Sequence, residues 1–384
     1  MEATDKFKNI RSHYPATEGQ VYLDTPTTGL FSRAGYQAMK AVLDKRLLEG
    51  VSISEYWKSW EDADAWREEF AGMIGAQKDE IFYGKDSSDM LNAFACGIYI
   101  PPGKNVLVPD ISFPATRNVW LNQANNGVDM RYVLNHNGVV TTDQIIDRMD
   151  GSTFAVSICS VEPSSGYHYD IRRLGDACRS RGIYLVVDTT QSLGAMDFDV
   201  EEMKVDVMVA STYKWMCNVF GFGLGYMRRS VMEQITPHHV GWTGIRDRKK
   251  DFTNLELVLH EGAQKFETGG LNWLGLSGVK ESVDTYLTLG KADVEAHILK
   301  LTNWLYQEME EVSEAMIDPE LPEINRSGIV YLKAAEGVRW TPEHFESRGI
   351  RINLAGNRMR VGLHFYNNEE DIMALVAALK EAAQ

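Results

Sequence analysis

The chain has 384 residues, of which 44% are hydrophobic and 24% are charged, and its formal net charge is −15. This length and composition predict a folded protein of one large domain or two. The excess of negative charge argues against a nucleic-acid partner, because a phosphate backbone needs a basic surface. Neither a long apolar stretch nor a secretory signal is visible, so no membrane association is expected. The cysteines form no CxxC pair and predict reduced thiols in a cytoplasmic protein: Cys96, Cys159, Cys178 and Cys217.

Residues 80–230 alternate between short strand patterns and helical patterns. Several strand patterns are apolar runs without polar alternation, which is typical of strands buried on both faces of a parallel sheet. The predicted strands are 80–84, 105–109, 128–133, 153–161, 183–188 and 205–211. The predicted helices are 87–99, 114–125 and 141–149. This alternation predicts an α/β fold with a doubly wound, mainly parallel sheet.

The two ends of the chain follow different patterns. Residues 1–75 are mostly helical, and the region after residue 270 combines long helices with strand-like segments. The predicted C-terminal helices are 271–290, 293–312 and 369–383, and the predicted strands are 327–334, 349–354 and 358–363. We therefore expect an N-terminal segment at 1–30, a large α/β domain at 31–274 and a smaller C-terminal α+β domain at 275–384.

Two charged residues follow neighbouring predicted strands, at the sheet edge where ligands of such folds bind. Asp188 ends the strand at 183–188, and Lys214 follows the strand at 205–211. Alone, each has a simpler explanation, a capping carboxylate and a solvated loop lysine. Together they are the pair that pyridoxal phosphate (PLP) needs: the lysine holds its aldehyde as a Schiff base, and the aspartate keeps its pyridine nitrogen charged. The sequence therefore predicts PLP as cofactor.

Further residues at this edge suit the rest of the cofactor. Ser87 and Ser88 begin a predicted helix, where free amides and the helix dipole bind anions, although ordinary helix capping explains them equally well. Ser211 and Tyr213 add hydroxyl donors beside Lys214. Phe113 stands before a proline at a strand end, either as a ring that stacks on the pyridine or as a core residue. We predict that Ser87, Ser88, Ser211 and Tyr213 hold the phosphate. Phe113 is predicted to stack on the pyridine ring.

The chain resembles the class V aminotransferase family of fold-type I PLP enzymes, which includes cysteine desulfurases, selenocysteine lyases, kynureninases and isopenicillin N epimerase-like proteins. The resemblance runs over nearly the whole length, and its most specific part is the ordered pair of Asp-x-x-Gln and Ser-x-x-Lys runs. The motifs that carry it are VYLDTPTTG (21–29), SSDMLN (87–92), SSGYHYDI (164–171), VVDTTQSLGAMDFDV (186–200), STYKWM (211–216), VGW (240–242), FETGGLNWLG (266–275) and MRVGLHFYNNEEDI (359–372).

The resemblance implies roles for individual residues. Lys214 and Asp188 would be catalytic, Gln191 would hydrogen-bond the ring hydroxyl, and Arg360 would bind the carboxylate of an amino-acid substrate. The family also implies a homodimer with shared sites. In relatives a threonine reaches the phosphate of the partner subunit, and Gly270 replaces it here, so the contact would come from the Gly270 amide or from Asn272. Trp242 would lie at the same shared site.

Departures from the family pattern bear on the reaction. Desulfurases carry a mobile cysteine upstream of the carboxylate arginine, whereas the stretch here, GIRINLAGNRMR (349–360), contains none. Many relatives also have an arginine where Ala355 stands. Cys217 follows Lys214 closely, and we interpret it as a buried thiol. The glycines of GFGLG (221–225) indicate re-entry into the sheet, and the pair His238 and His239 lacks the spacing of a metal site, so no metal is predicted.

We therefore expect a PLP-dependent enzyme that acts on an amino acid, a small-molecule substrate, through Lys214. Transamination is the leading hypothesis, because it is frequent in the family. A C–S or C–Se lyase of the cysteine desulfurase or selenocysteine lyase kind is the main alternative, and an epimerase is another. A non-catalytic PLP-binding regulator is disfavoured, because residues 1–75 show no basic DNA-binding segment.

Overall fold

The computed structural model describes residues 3–246 and 255–382. Its helices are α1 (Ala3–Arg11), α2 (Arg33–Leu48), α3 (Ile53–Ile74), α4 (Ser87–Ala95), α5 (Pro114–Gln123), α6 (Thr142–Arg148), α7 (Ile171–Arg181), α8 (Arg229–Met232), α9 (Trp273–Leu289), α10 (Lys291–Met309), α11 (Pro342–Glu346) and α12 (Glu369–Glu381). Its strands are β1 (Val21–Tyr22), β2 (Ile81–Gly84), β3 (Asn105–Pro109), β4 (Asp129–Val133), β5 (Thr153–Cys159), β6 (Tyr184–Asp188), β7 (Val207–Ser211), β8 (Gly223–Met227), β9 (Ala315–Ile317), β10 (Ile329–Ala334), β11 (Ile350–Arg351), β12 (Asn353–Ala355) and β13 (Arg358–Gly362).

A seven-stranded sheet with the order β2-β8-β7-β6-β5-β3-β4 organises the larger part of the structure. Strands β4, β3, β5, β6 and β7 are parallel neighbours, while β8 runs antiparallel to both β7 and β2. The apolar runs that predicted buried strands are buried along almost their whole length in β3, β5 and β7. The predicted α/β fold with a mainly parallel sheet is confirmed.

A second sheet, antiparallel with the order β12-β13-β10-β9, lies in the C-terminal part. It packs with α10 and α12 on a hydrophobic cluster of its own, to which Leu301, Val330, Val361 and Leu375 belong. The N-terminal segment joins this unit, because β1 pairs in parallel with β11 and Leu23 is buried in the same cluster. The N-terminal segment therefore packs with the end of the chain.

Several boundaries differ from the sequence prediction for local reasons. Helix α4 ends at Ala95 and not at residue 99, and a Cβ on Gly97 would lie 2.5 Å from the Ile235 side chain, so the chain there packs against a neighbouring segment. The segment predicted as one strand at 349–354 is divided, because β11 pairs with β1 whereas β12 pairs with β13. The short strand β9 was not predicted. In the described ranges no helix is long and apolar enough to cross a membrane.

The two sheets meet at a turn that follows β5. Gly166 in this turn has a φ of +78°, and a Cβ on it would lie 2.1 Å from the carbonyl oxygen of Ile329 in β10. The backbone of this turn therefore touches the C-terminal sheet directly, and only glycine suits both the conformation and the space.

We predict that Gly166→Ala destabilises the protein by more than about 3 kcal/mol, because it adds a backbone clash to the strain of a left-handed residue. Gly127→Ala is the matched control: Gly127 has a φ of +83° but nothing lies within 4 Å of its Cβ position. The control should cost only about 1–2 kcal/mol. Denaturant unfolding of both variants measures the difference, and equal losses would contradict this account of the turn.

Candidate active site

Lys214 stands in the loop between β7 and β8, at the carboxyl edge of the sheet, and is only 6% exposed. Burial, opposed by the charge of Asp188 and assisted by that of Arg360, lowers the pKa of its amine to about 8. The N-terminal segment packs directly on this loop, since the amide of Gly29 donates to the carbonyl of Tyr213 and a Cβ on Gly29 would lie 2.0 Å from the Lys214 carbonyl oxygen. The amine is thus held in a cleft and is partly neutral near physiological pH.

Asp188 ends β6 and lines the same cavity as Lys214, and the residue is only 3% exposed. Its Oδ1 accepts a hydrogen bond of 2.8 Å from the amide of Thr190. Burial raises the pKa of Asp188, although hydrogen bonds from Thr190 and Ser87 and the charge of Lys214 act against this. A desolvated carboxylate favours a cationic partner, and the protonated ring nitrogen of PLP is such a partner.

Hydroxyl groups converge where β7 ends and α4 begins. The amide of Ser87 donates to Ser211 Oγ at 3.0 Å, and the two hydroxyl oxygens are 3.3 Å apart. The half-buried ring of Tyr213 stacks on Phe220 with 4.2 Å between centroids. Asp86 caps α4 through the amide of Asp89, which places a carboxylate at the same helix end and opposes an anion there. The hydroxyls and the helix end still supply the donors that a phosphate needs.

Phe113 precedes Pro114 at the start of α5. Its ring centroid lies 5.3 Å from the Lys214 amine, and the residue is 43% exposed. Gln191 is buried, with its Oε1 accepting from Trp215 Nε1 at 2.8 Å and its Nε2 donating to the carbonyl of Pro26 at 3.2 Å. An aromatic face near the amine fits a flat heteroaromatic ring.

One small cavity gathers most of the residues that the sequence predicted. Its predicted lining residues are Ser87, Phe113, Asp188, Gln191, Ser211, Tyr213 and Lys214. Cys159, Pro163 and Thr190 also line it and were not predicted. The rule about strand ends could have identified two of them, because Cys159 ends β5 and Pro163 follows soon after. Amine, carboxylate, hydroxyls and aromatic ring together fit PLP.

Arg360 reaches the same region from β13 of the C-terminal sheet. Its Nη2 lies 3.2 Å from Asp24 Oδ1 and 2.5 Å from Thr27 Oγ1. Its Nε is buried and has no hydrogen-bond partner among the described residues. A buried guanidinium donor without a partner suits a ligand carboxylate, and the charge of Arg360 contributes to the lowered pKa of Lys214.

Four predicted cofactor residues lie outside this cavity in the single chain. Ser88 and Gly270 are exposed. Trp242 packs edge-on against Trp60, with ring centroids 5.6 Å apart. Asn272 caps α9 by accepting from the amide of Gly275 and also donates to the carbonyl of Gly221 at 3.1 Å. The structure of one chain therefore does not bring these four to Lys214.

The cysteine in the lysine loop is shielded from solvent in this structure. Cys217 is 6% exposed, its Sγ lies 3.9 Å from His364 Nε2, and burial raises the pKa of its thiol to about 12. A thiol with so high a pKa is not a nucleophile at neutral pH. Gly223 and Gly225 of the glycine-rich stretch lie inside β8, as expected. Within the described ranges no three His, Cys, Asp or Glu side chains are grouped closely enough to hold a metal ion.

We predict that the Lys214 amine of the cofactor-free protein reacts with an acylating reagent with a midpoint near pH 8, well below the ordinary lysine value of about 10.4. Only the neutral amine reacts, so the rate rises with pH through the pKa. Asp188→Asn should move the midpoint lower, because the Asp188 charge raises the pKa of Lys214. Peptide mass spectrometry of pulse-labelled protein measures both, and a midpoint near pH 10 would contradict the desolvated amine.

Comparisons with known proteins assign this chain to a family. The family described as Aminotransferase class-V matches residues 21–341. A probable cysteine desulfurase of Methanothermobacter thermautotrophicus is 28% identical, over 98% of each chain. The apo cysteine desulfurase of Thermococcus onnurineus NA1 has a TM-score of 0.85 at 20% identity, covering 97% of each chain. The cystine C-S lyase C-DES, in complex with cysteine persulfide, has a TM-score of 0.87 at 17% identity, covering 97% of this chain and 100% of that one. The chain therefore belongs to the class V aminotransferase family of PLP-dependent enzymes.

Proposed function

We propose that this PLP-dependent enzyme cleaves the Cβ–S bond of a sulfur-containing amino acid and releases sulfide without an acceptor cysteine of its own. The observation that carries the proposal is the buried pair of Lys214 and Asp188 within one cavity. Arg360 of β13 adds a buried guanidinium donor without a partner among the described residues. The 28% identical relative named a probable cysteine desulfurase supports a sulfur substrate. In such a β-elimination cysteine and water give pyruvate, ammonia and sulfide.

The residues of the chain divide the work. Arg360 orients the substrate by pairing with its α-carboxylate through the donors that Asp24 and Thr27 leave free. Lys214 accepts the Cα proton, a role that its pKa of about 8 suits. When bound, PLP withdraws electrons from Cα, and Asp188 supports this by holding the ring nitrogen protonated. Phe113 would cover the ring of bound PLP, and Ser87, Ser211 and Tyr213 would bind its phosphate, while Ser88 stands exposed beside Ser87 at the start of α4.

The cysteines determine how the sulfur leaves. The hairpin of β12 and β13, upstream of Arg360, contains no cysteine. Cys159 lines the cavity, but burial raises the pKa of its thiol well above the usual value, and Cys217 is similarly shielded. A thiolate is the species that accepts sulfur, and neither buried thiol supplies it at neutral pH. Sulfur therefore leaves as sulfide, directly to solvent.

Transamination is the second candidate function. It uses the same lysine, aspartate and arginine, and it needs no sulfur acceptor, which agrees with the cysteine-free hairpin before Arg360. The two reactions differ only in the fate of the substrate after Lys214 has taken the Cα proton. Product analysis separates them, as it separates both from epimerisation.

We predict that the purified protein shows the yellow absorbance of a lysine Schiff base and that Lys214→Ala abolishes both this band and turnover. L-cysteine should give sulfide, pyruvate and ammonia in equal amounts. Arg360→Lys should keep the band but raise KM about tenfold or more, because a single ammonium replaces a bidentate guanidinium.

Other results would contradict the cofactor assignment or the proposed reaction. A colourless wild type, or Lys214→Ala with an unchanged reducible adduct, would overturn the cofactor assignment. Keto acid together with pyridoxamine phosphate, formed from a panel of amino acids without sulfide, would establish transamination. Inverted stereochemistry would indicate an epimerase, and bound PLP with no turnover would indicate a regulator.

We propose further that two chains form a homodimer in which Trp242, Gly270 and Asn272 contribute to the cofactor site of the other subunit. The position of these residues supports this, since they lie outside the cavity of their own chain and Gly270 is exposed. Sedimentation equilibrium should therefore give twice the chain mass of 43.3 kDa. A monomer that retains full activity would exclude a shared site.

The cellular compartment that we propose is the cytoplasm. All four cysteines are unpaired, which suits a reducing environment. Cell fractionation with a tagged chain tests this, and recovery outside the cytoplasmic fraction would refute it.

A further inference from the structure

Glu162 is a fully buried carboxylate next to the active site to which the reaction assigns no part. It is 0% exposed, and its Oε1 accepts from Ser112 Oγ at 2.5 Å and from the Tyr169 hydroxyl at 3.2 Å. Its Oε2 is buried without a hydrogen-bond partner among the described residues. Burying a carboxylate costs free energy unless hydrogen bonds compensate for the lost water. The two hydrogen bonds to Oε1 are therefore the contacts through which Glu162 can act.

The hydrogen bond to Ser112 connects Glu162 to the ring-stacking residue. Ser112 directly precedes Phe113, and it is 2% exposed, whereas Phe113 is 43% exposed. Packing therefore covers only part of Phe113, and the direction of its ring depends also on the backbone of the turn at residues 110–113. Two side-chain hydrogen bonds tie this turn to the segment after β5: Ser112 Oγ donates to Glu162, and Ser164 Oγ donates to the carbonyl of Ile111 at 3.2 Å.

Glu162 is itself held at a rigid place. Its amide donates to the carbonyl of Tyr167 at 2.9 Å, and its carbonyl accepts from the amide of Gly166 at 2.8 Å. The next residue, Pro163, lines the cavity, and its carbonyl accepts a hydrogen bond of 2.6 Å from the Tyr331 hydroxyl of β10. Tyr331 pairs with Arg360 across β10 and β13. The turn that begins at Glu162 thus lies between the Phe113 turn and the strand of Arg360.

We propose that Glu162 is a positioning residue that fixes the Phe113 turn against the cofactor ring through Ser112. Glu162 does not line the cavity, so it acts through its neighbour and not on the reacting atoms. Burial raises the pKa of Glu162 to about 7, but a carboxyl group in either protonation state has an oxygen that accepts from Ser112. The inference rests on the proposed location of PLP next to Lys214.

The test uses PLP binding to the enzyme after its cofactor has been removed, together with the visible circular dichroism of the reconstituted protein. That dichroism arises because the protein holds the ring in one chiral orientation, so it reports ring geometry independently of turnover. Ser112→Ala removes the donor to Glu162, and Glu162→Leu removes the acceptor. Glu162→Gln keeps a carbonyl acceptor at the same reach. Tyr169→Phe is the matched control, since it removes the other donor to the same carboxyl oxygen.

We expect Ser112→Ala and Glu162→Leu to raise the Kd for PLP about tenfold and to reduce the dichroism per bound cofactor at least twofold. Glu162→Gln should restore both quantities to within about twofold of wild type, because an amide carbonyl accepts the same hydrogen bond. Tyr169→Phe should leave the dichroism per bound cofactor unchanged, whatever it does to thermal stability.

The outcomes separate this inference from the proposed function. An unchanged Kd and dichroism in Ser112→Ala would overturn the positioning role while leaving Lys214 and PLP intact. An equal loss in Tyr169→Phe would also overturn it, because the effect would then come from the core in general. Should Glu162→Leu fail to fold, Ser112→Ala alone decides. A wild type that binds no PLP would overturn the proposed function and this inference together.

Discussion

The site depends on the removal of one amine and one carboxylate from water at the same edge of a sheet. Burial lowers the pKa of Lys214 to about 8 and raises that of Asp188, so each shift disfavours the charged form of its group. The opposite charges partly compensate each other across the cavity. What remains is a reactive amine and a carboxylate that needs a cation, and a pyridine aldehyde satisfies both at once.

The topology of the large sheet makes that burial feasible. Strands β5, β6 and β7 are adjacent and parallel, so their ends bring Cys159, Asp188 and the Lys214 loop to one edge. The chain then returns antiparallel in β8, which covers the outer side of β7. The N-terminal segment packs on the loop that carries Lys214. Only glycine suits residue 29, because a Cβ there would clash with the Lys214 carbonyl oxygen. The C-terminal sheet adds Arg360 from a different direction.

Much of this arrangement was predictable from strand ends and residue chemistry. The rule that ligands bind at the carboxyl ends of parallel strands, applied to Ser87, Phe113, Asp188 and Lys214, identified residues that do share one cavity. It did not identify Thr190, whose amide donates to Asp188 and whose hydroxyl accepts from the amide of Ser211. No local sequence pattern marks such a threonine, because its hydrogen bonds form only when the ends of β6 and β7 lie side by side.

The sequence by itself determined the fold class, the cofactor chemistry and the absence of a cysteine before Arg360, since strand periodicity and residue type are local properties. Only the tertiary structure decided which groups lose contact with water. Burial there raises the pKa of the Cys217 thiol, and Arg360 forms an ion pair with Asp24. The tertiary structure also decided that Glu162 lies behind the Phe113 turn. Desolvation and pairing depend on residues that are far apart in the chain, and no local pattern records them.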